Sequence, residues 1–312
     1  MLNLFSEESR QFLYRTGRLR HTVASQESAG WGQQWPPRFA RRYARMVRLA
    51  VSELTTFRWT FEEDIAQYLA AGITAIGVWR QKLTDIGERK GAQLLAESGI
   101  AVSSLQWAGG FTGCDGHTYD ESLADARQAI STAAEIHAGC LILHSGSRGV
   151  HTHKHARRLF RQALDRLLPL AEERGLVLAL EPMTGDCGGE FTFLNCLDET
   201  YDLVATHQSP ALGIALDVYH WGHRPEFLER LPRLAPRLAL VQLGDGREPP
   251  TSEPNRCQLG DGTIPLRQIV RELIAAGYNG DFEIELMGEE IEAADYREVL
   301  ARSVKKFREW TA

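Results

Sequence analysis

LVLALEP (176–182), LGIALDVYH (212–220), LALVQLGD (238–245) and DFEIELMG (281–288) are short apolar runs, and each carries a polar residue at or near its C-terminal end: Glu181, Asp217, Gln242 and Glu285. A run of this length with a carboxylate at its exit reads as a buried parallel strand handing a ligand to the top of a sheet or barrel. Four such exits converging on one point would make an oxygen-rich site for a hard metal ion.

Working outward, the same alternation continues upstream. VRLAVSEL (47–54), GITAIGVW (72–79), IAVSSLQW (100–107) and GCLILHSG (139–146) supply four more candidate strands. Between strands lie segments of helical spacing with good start signals and a closing Gly, such as 60–72, 118–139 and 155–175. Eight consecutive βα units favour one closed (β/α)8 TIM barrel over 47–312, preceded by an N-terminal extension at 1–46. An open sheet would need a phosphate-binding glycine fingerprint after the first strand, and no GxGxxG stands there. The barrel's active site belongs at the C-terminal mouth, where the four polar residues fall. Alternation in the last strand points Glu283 and Glu285 to one face. Glu285 is the better ligand candidate, with Glu283 buried beneath it against a basic or polar neighbour.

The chain has 312 residues, is 43% hydrophobic and carries a formal net charge of −6. That balance argues against a partner held through a general basic surface, whether nucleic acid or an anionic membrane, and leaves a small molecule as the expected partner. Five scattered cysteines without CxxC spacing read as reduced thiols in a cytoplasmic protein. No run approaches the ~20 apolar residues of a membrane span. The first 45 residues hold eight Arg, no Lys and three acidic residues. An organelle-targeting segment, a start codon set too far upstream and an extra helix outside the core all fit that composition.

Residues 47 to 307 resemble the xylose-isomerase-like TIM-barrel superfamily of sugar isomerases and epimerases, which also contains apurinic endonucleases. The likeness rests on Glu181 in LALEP, Asp217 and His220 in LDVYH, the exit LVQLGDGR, NRCQLGDGTIPL and Glu285 in FEIELMG. It implies one divalent cation held by Glu181, Asp217, Gln242 and Glu285, with Gln242 standing where the family commonly has a histidine. Three carboxylates and an amide oxygen suit Mn2+ or Mg2+, with Co2+ and Zn2+ as alternatives. Endonuclease chemistry is not expected, because that branch needs further histidines where this chain has Gln106 and Trp107, and an Asp and a His where it has Asn255, Arg256 and Cys257.

By resemblance to the epimerases, Glu181 and Glu285 act as acid and base on the two sides of a polyol or keto-sugar. His220 then hydrogen-bonds a substrate oxygen, or serves as the base of a dehydratase. A Glu, Asp, Gln, Glu set also occurs in 3-dehydroshikimate dehydratases of the superfamily. A lyase of that kind or a C-glycoside-cleaving kind therefore stays open, as does a non-catalytic sugar-binding barrel. Arg256 matches a substrate-oxygen contact. Trp79 and Trp107 are expected as pocket wall, Arg80 as an anion clamp and His144 in the floor. His151, His153 and His155 are not expected to converge on a second metal. The stretches 187–191 and 244–254 read as loops over the mouth, and barrels of this superfamily are often homo-oligomers.

Overall fold

The computed structural model describes residues 47–251 and 255–312. The Arg-rich extension at 1–46 and the tip of the second mouth loop, 252–254, lie outside the described residues. The strands in chain order are β1 (Arg48–Ser52), β2 (Ala75–Trp79), β3 (Ala101–Ala108), β4 (Leu141–Leu143), β5 (Leu178–Leu180), β6 (Leu212–Asp217), β7 (Leu238–Leu243), β8 (Asp245–Gly246), β9 (Arg256–Cys257) and β10 (Asp281–Ile284). Eight of them close into a parallel barrel in the order β1-β10-β7-β6-β5-β4-β3-β2, while β8 and β9 form a separate ribbon. The seam pairs Leu49 with Phe282 and Val51 with Ile284. The expected (β/α)8 barrel is thus observed.

Every residue of β6 and β7 is buried. That fits parallel strands covered by helices outside and packed side chains within. Helix starts follow their capping chemistry. Thr60 and Glu63 form a capping box before Phe61–Ala70, and Thr118 and Glu121 do the same before Tyr119–Glu135. Thr152 caps His153–Arg174, which ends at Gly175 with φ of 66°. That helix starts two residues earlier than the 155–175 span read from the sequence, because the Thr152 hydroxyl accepts from His155 N–H. None of the five cysteines is joined in a disulfide. Among the described residues no helix is long and apolar enough to cross a membrane.

Candidate metal and substrate site

Four strand exits, those of β5, β6, β7 and β10, each deliver one polar side chain to the mouth. Glu181 directly follows β5, its N–H donating to the Leu143 carbonyl at 3.2 Å. Asp217 ends β6, and its Oδ1 accepts the Tyr219 N–H at 3.0 Å, which starts the short turn Val218–Trp221 and swings His220 back over the barrel. Gln242 stands opposite Asp217 on one side and Glu283 on the other in the strand register. Glu285 follows β10, its N–H bonded to the Leu243 carbonyl at 3.1 Å. These four and His220 are at most 6% exposed.

Glu181, Asp217 and His220 offer donor atoms that all lie within 4.8 Å of one another, a spacing at which a single cation can be shared. His220 joins this trio as well as the substrate face. Glu285 stands beside it, tied to Gln242, whose Nε2 donates to Glu285 Oε2. Gln242 Oε1 is left buried without a hydrogen-bond partner. Buried polar atoms normally find partners, so this bare carbonyl oxygen invites explanation, and a hard cation would satisfy it.

The charges agree. Glu181 is pushed up to about 8, first by burial and then by the neighbouring Asp217 charge. Glu285 is raised well above the usual carboxylate range, again chiefly by burial, with Asp217 and Glu181 adding repulsion that Arg256 partly offsets. Three carboxylates share one buried guanidinium, which leaves the cluster short of positive charge. The residues present therefore fit a divalent ion.

Arg256, expected to contact a substrate oxygen, is also tied into the protein itself. It lies on β9 with its side chain 3% exposed, Nη2 2.7 Å from Asp217 Oδ2 and Nη1 donating to the Glu285 carbonyl at 2.8 Å. Its guanidinium also stacks over the Tyr219 ring at 4.5 Å. Gly244 makes the room, since a Cβ there would lie 2.8 Å from Nη1. The arginine is a buried strut between two exits and still lines the cavity.

His144 reaches Glu181 Oε2 through Nε2 at 2.8 Å. Burial pushes its imidazole down to about 3, so the ring is neutral and a single proton lies between the two groups. Trp107 tilts against that ring with centroids 5.2 Å apart, and Phe191 meets Trp107 and His144 edge-on at 6.0 and 5.8 Å. Trp79 also lines the cavity. Arg80 does not. It is the first residue of the helix Arg80–Ile86, which turns its side chain outward to Asp125 (2.9 and 2.8 Å) and to the Trp107 carbonyl at 3.0 Å. Helix geometry overrode the anion clamp expected there. His151 and His155 stack at 4.7 Å while His153 turns to Phe193, so the three do not converge.

Three groups escaped sequence reasoning. Gln106 Nε2 bridges Glu283 Oε1 and Glu285 Oε2, 3.0 Å to each, while its Oε1 accepts from Ser52 Oγ at 3.1 Å. Glu283 itself takes hydrogen bonds from Ser103 and Ser104 at 2.6 and 2.8 Å, the polar partners expected beneath Glu285. Cys187, in the first mouth loop, has Sγ 3.1 Å from His220 Nδ1. Asp245 collects the N–H groups of Gly246, Gly260 and Gly262 and so folds the NRCQLGDGTIPL loop. The strand alternation in SSLQW was the one available signal, since it sets Ser104 and Gln106 on a common face.

Residues 65–309 match the family described as xylose isomerase-like TIM barrel. A 3-dehydroshikimate dehydratase of Pseudomonas putida is 22% identical over 256 residues, which is 79% of this chain and 39% of that longer protein. The chain therefore spans well under half the length of that curated relative. Among solved structures, a protein of Sinorhizobium meliloti 1021 superposes with a TM-score of 0.77 at 27% identity, covering 84% of this chain and 97% of that one. The IOLI protein with a bound zinc atom gives 0.74 at 17%, covering 85% and 98%. An L-ribulose 3-epimerase gives 0.71 at 17%, covering 85% and 95%.

Proposed function

We propose that this chain, which belongs to the xylose isomerase-like TIM-barrel family, is a divalent-metal-dependent isomerase or epimerase acting on a sugar, keto-inositol or related polyol. The observation that carries the reading is the pair Glu181 and Glu285. Both are buried, both are raised above the ordinary carboxylate range, and they leave strands β5 and β10, which stand apart in the ring with β6 and β7 between them. Two such carboxylates can take a proton from one side of a bound carbon and return it on another. Glu181, Asp217, Gln242 and Glu285, with His220 beside them, would hold the ion. When bound, a divalent ion polarises a carbonyl and its neighbouring hydroxyl and so acidifies the C–H between them. Glu181 then moves the proton with His144 at its back, Glu285 does so from the other side, and Gln106 holds Glu285 in place. His220 is placed to meet a substrate oxygen.

A lyase is the second reading, favoured by Gln242 at the seventh strand and by the distant match to a dehydratase. Incubating Mn-loaded protein with a panel of ketoses in deuterated water, and following substrate C–H signals by NMR, tests both. Exchange or epimer formation supports the first reading and an unsaturated product the second. Bound sugar without exchange would leave a binding barrel.

A further inference from the structure

The cavity above the carboxylates is built from two unlike halves. Its floor is polar, while its walls are mostly apolar, formed by Phe57, Trp79, Trp107, Met183, Phe191 and Met287 from the exits of β1, β2, β3, β5 and β10, with Thr55, Tyr219, Thr251 and Glu292 as the polar groups among them. Leu54 and Ile291 extend the same apolar lining. Among the described residues Arg256 is the single Lys or Arg side chain that lines the cavity; its two Nη groups are committed to the Glu285 carbonyl and Asp217, and its Nε is buried without a hydrogen-bond partner. Arg80, the other candidate cation, is turned out to Asp125.

A free sugar presents hydroxyls all round its rim, and walls of this kind would leave several of them buried without partners, which costs binding energy. A phosphate or carboxylate at the upper wall would meet no Lys or Arg side chain among the described residues and would face three carboxylates below. An aromatic or alkyl group fits both constraints, because it needs neither hydrogen bonds nor counter-charge. Resting on the polyol reading of the floor, we infer that the substrate is an uncharged glycoside whose sugar ring carries a ketone, the carbonyl that isomerisation or epimerisation needs. Its sugar ring sits on the carboxylate floor and its apolar aglycone lies between Trp79, Trp107, Phe57 and Phe191.

Isothermal titration of Mn-loaded and metal-free protein with paired methyl and phenyl β-glycosides of glucose, galactose and xylose, and with glucose 6-phosphate, isolates the aglycone from the sugar. For at least one sugar the phenyl glycoside should bind about tenfold or more tighter than its methyl partner, about 1.4 kcal/mol, and glucose 6-phosphate should bind no better than the methyl glycosides. In Trp107→Ala, and separately in the half-exposed Phe57→Ala, the phenyl-to-methyl ratio should fall toward one. Equal binding of methyl and phenyl partners overturns this inference and leaves the polyol reading standing. Tighter binding of the phosphate also overturns it. No binding by any probe, with or without metal, also overturns it, while the polyol reading is decided separately by the ketose exchange experiment.

Discussion

Gly77 on β2 and Glu283 on β10 meet inside the barrel: a Cβ added at Gly77 would lie 2.4 Å from Oε2 of Glu283. The missing side chain is what lets a carboxylate stand in the barrel interior, where Ser103, Ser104 and Gln106 solvate it. Through Gln106 the same carboxylate is linked to Glu285. A packing feature of the core thus sets the orientation of a residue in the mouth.

Gly77→Ala should therefore destabilise the protein by about 1–3 kcal/mol, the usual result of overpacking a tight core. Urea denaturation measures it. A midpoint unchanged from wild type would show that Glu283 has room to move aside.

Metal content should follow the carboxylates at the mouth. Elemental analysis of Mn-supplemented protein is expected to find about one ion per chain in wild type, at the coordination a single hard-donor site provides. Glu181→Gln and Asp217→Asn should lose most of it, because an amide carries no charge to offset the ion's dehydration. Gln242→His should keep metal and accept Zn2+ more readily. Full metal retention in both carboxylate variants would remove the site from this place.

Arg256→Met leaves Asp217 buried beside two other carboxylates with no counter-charge. Breaking a buried pair in this way costs about 3–5 kcal/mol. Because a divalent ion supplies the same missing charge, Mn2+ should recover part of the loss, read as a larger metal-dependent rise in melting temperature than wild type shows. A variant as stable as wild type without metal would contradict the strut.

A second buried cluster, away from the mouth carboxylates, gives a pH dependence. Asp64 pairs with Lys82 at 2.5 Å, and Lys82 also donates to the Thr56 carbonyl. Glu53 accepts the Trp79 N–H at 2.8 Å and leaves Oε1 buried without a partner. Burial, then Asp64 nearby, raises Glu53 well above its ordinary 4.5 although Lys82 lowers it. Below 4.5 Glu53 is protonated folded and unfolded alike, so its contribution is fully present. As pH rises from there through the raised folded value, the unfolded chain ionises first and stability is lost, by about 1.4 kcal/mol for each pH unit crossed. Glu53→Gln, which can still accept the Trp79 N–H, should flatten the decline between pH 5 and pH 8 in guanidinium titrations. Parallel declines in both proteins would refute the assignment.

The barrel was legible because strand and helix signals are local. An apolar run of four to six residues, a Thr-x-x-Glu capping box and a closing Gly act within one or two turns of chain, so LVLALEP, LGIALDV and DFEIEL could be read in isolation. Strand exits could be read as well, since direction in a parallel barrel decides which end bears the site. Arg80 misled because one residue of difference, Trp79 ending the strand and Arg80 opening the helix, reverses where a side chain points. The internal ties of Arg256 were not legible because its partners, Asp217 and Glu285, lie 39 and 29 residues away.

By itself, then, the sequence determined the eight-stranded barrel, the end of it that carries the polar residues, and the identities of Glu181, Asp217, Gln242 and Glu285, all through periodicities of two and 3.6 residues that no tertiary contact is needed to see. Tertiary structure alone decided what those residues face. It set Arg256 against Asp217, threaded Glu283 past Gly77 to Gln106, left Gln242 with a bare oxygen and turned Arg80 away from the cavity. Those outcomes depend on strand register and barrel closure, which bring residues 206 positions apart, such as Gly77 and Glu283, within contact. Local pattern carries no record of such pairings.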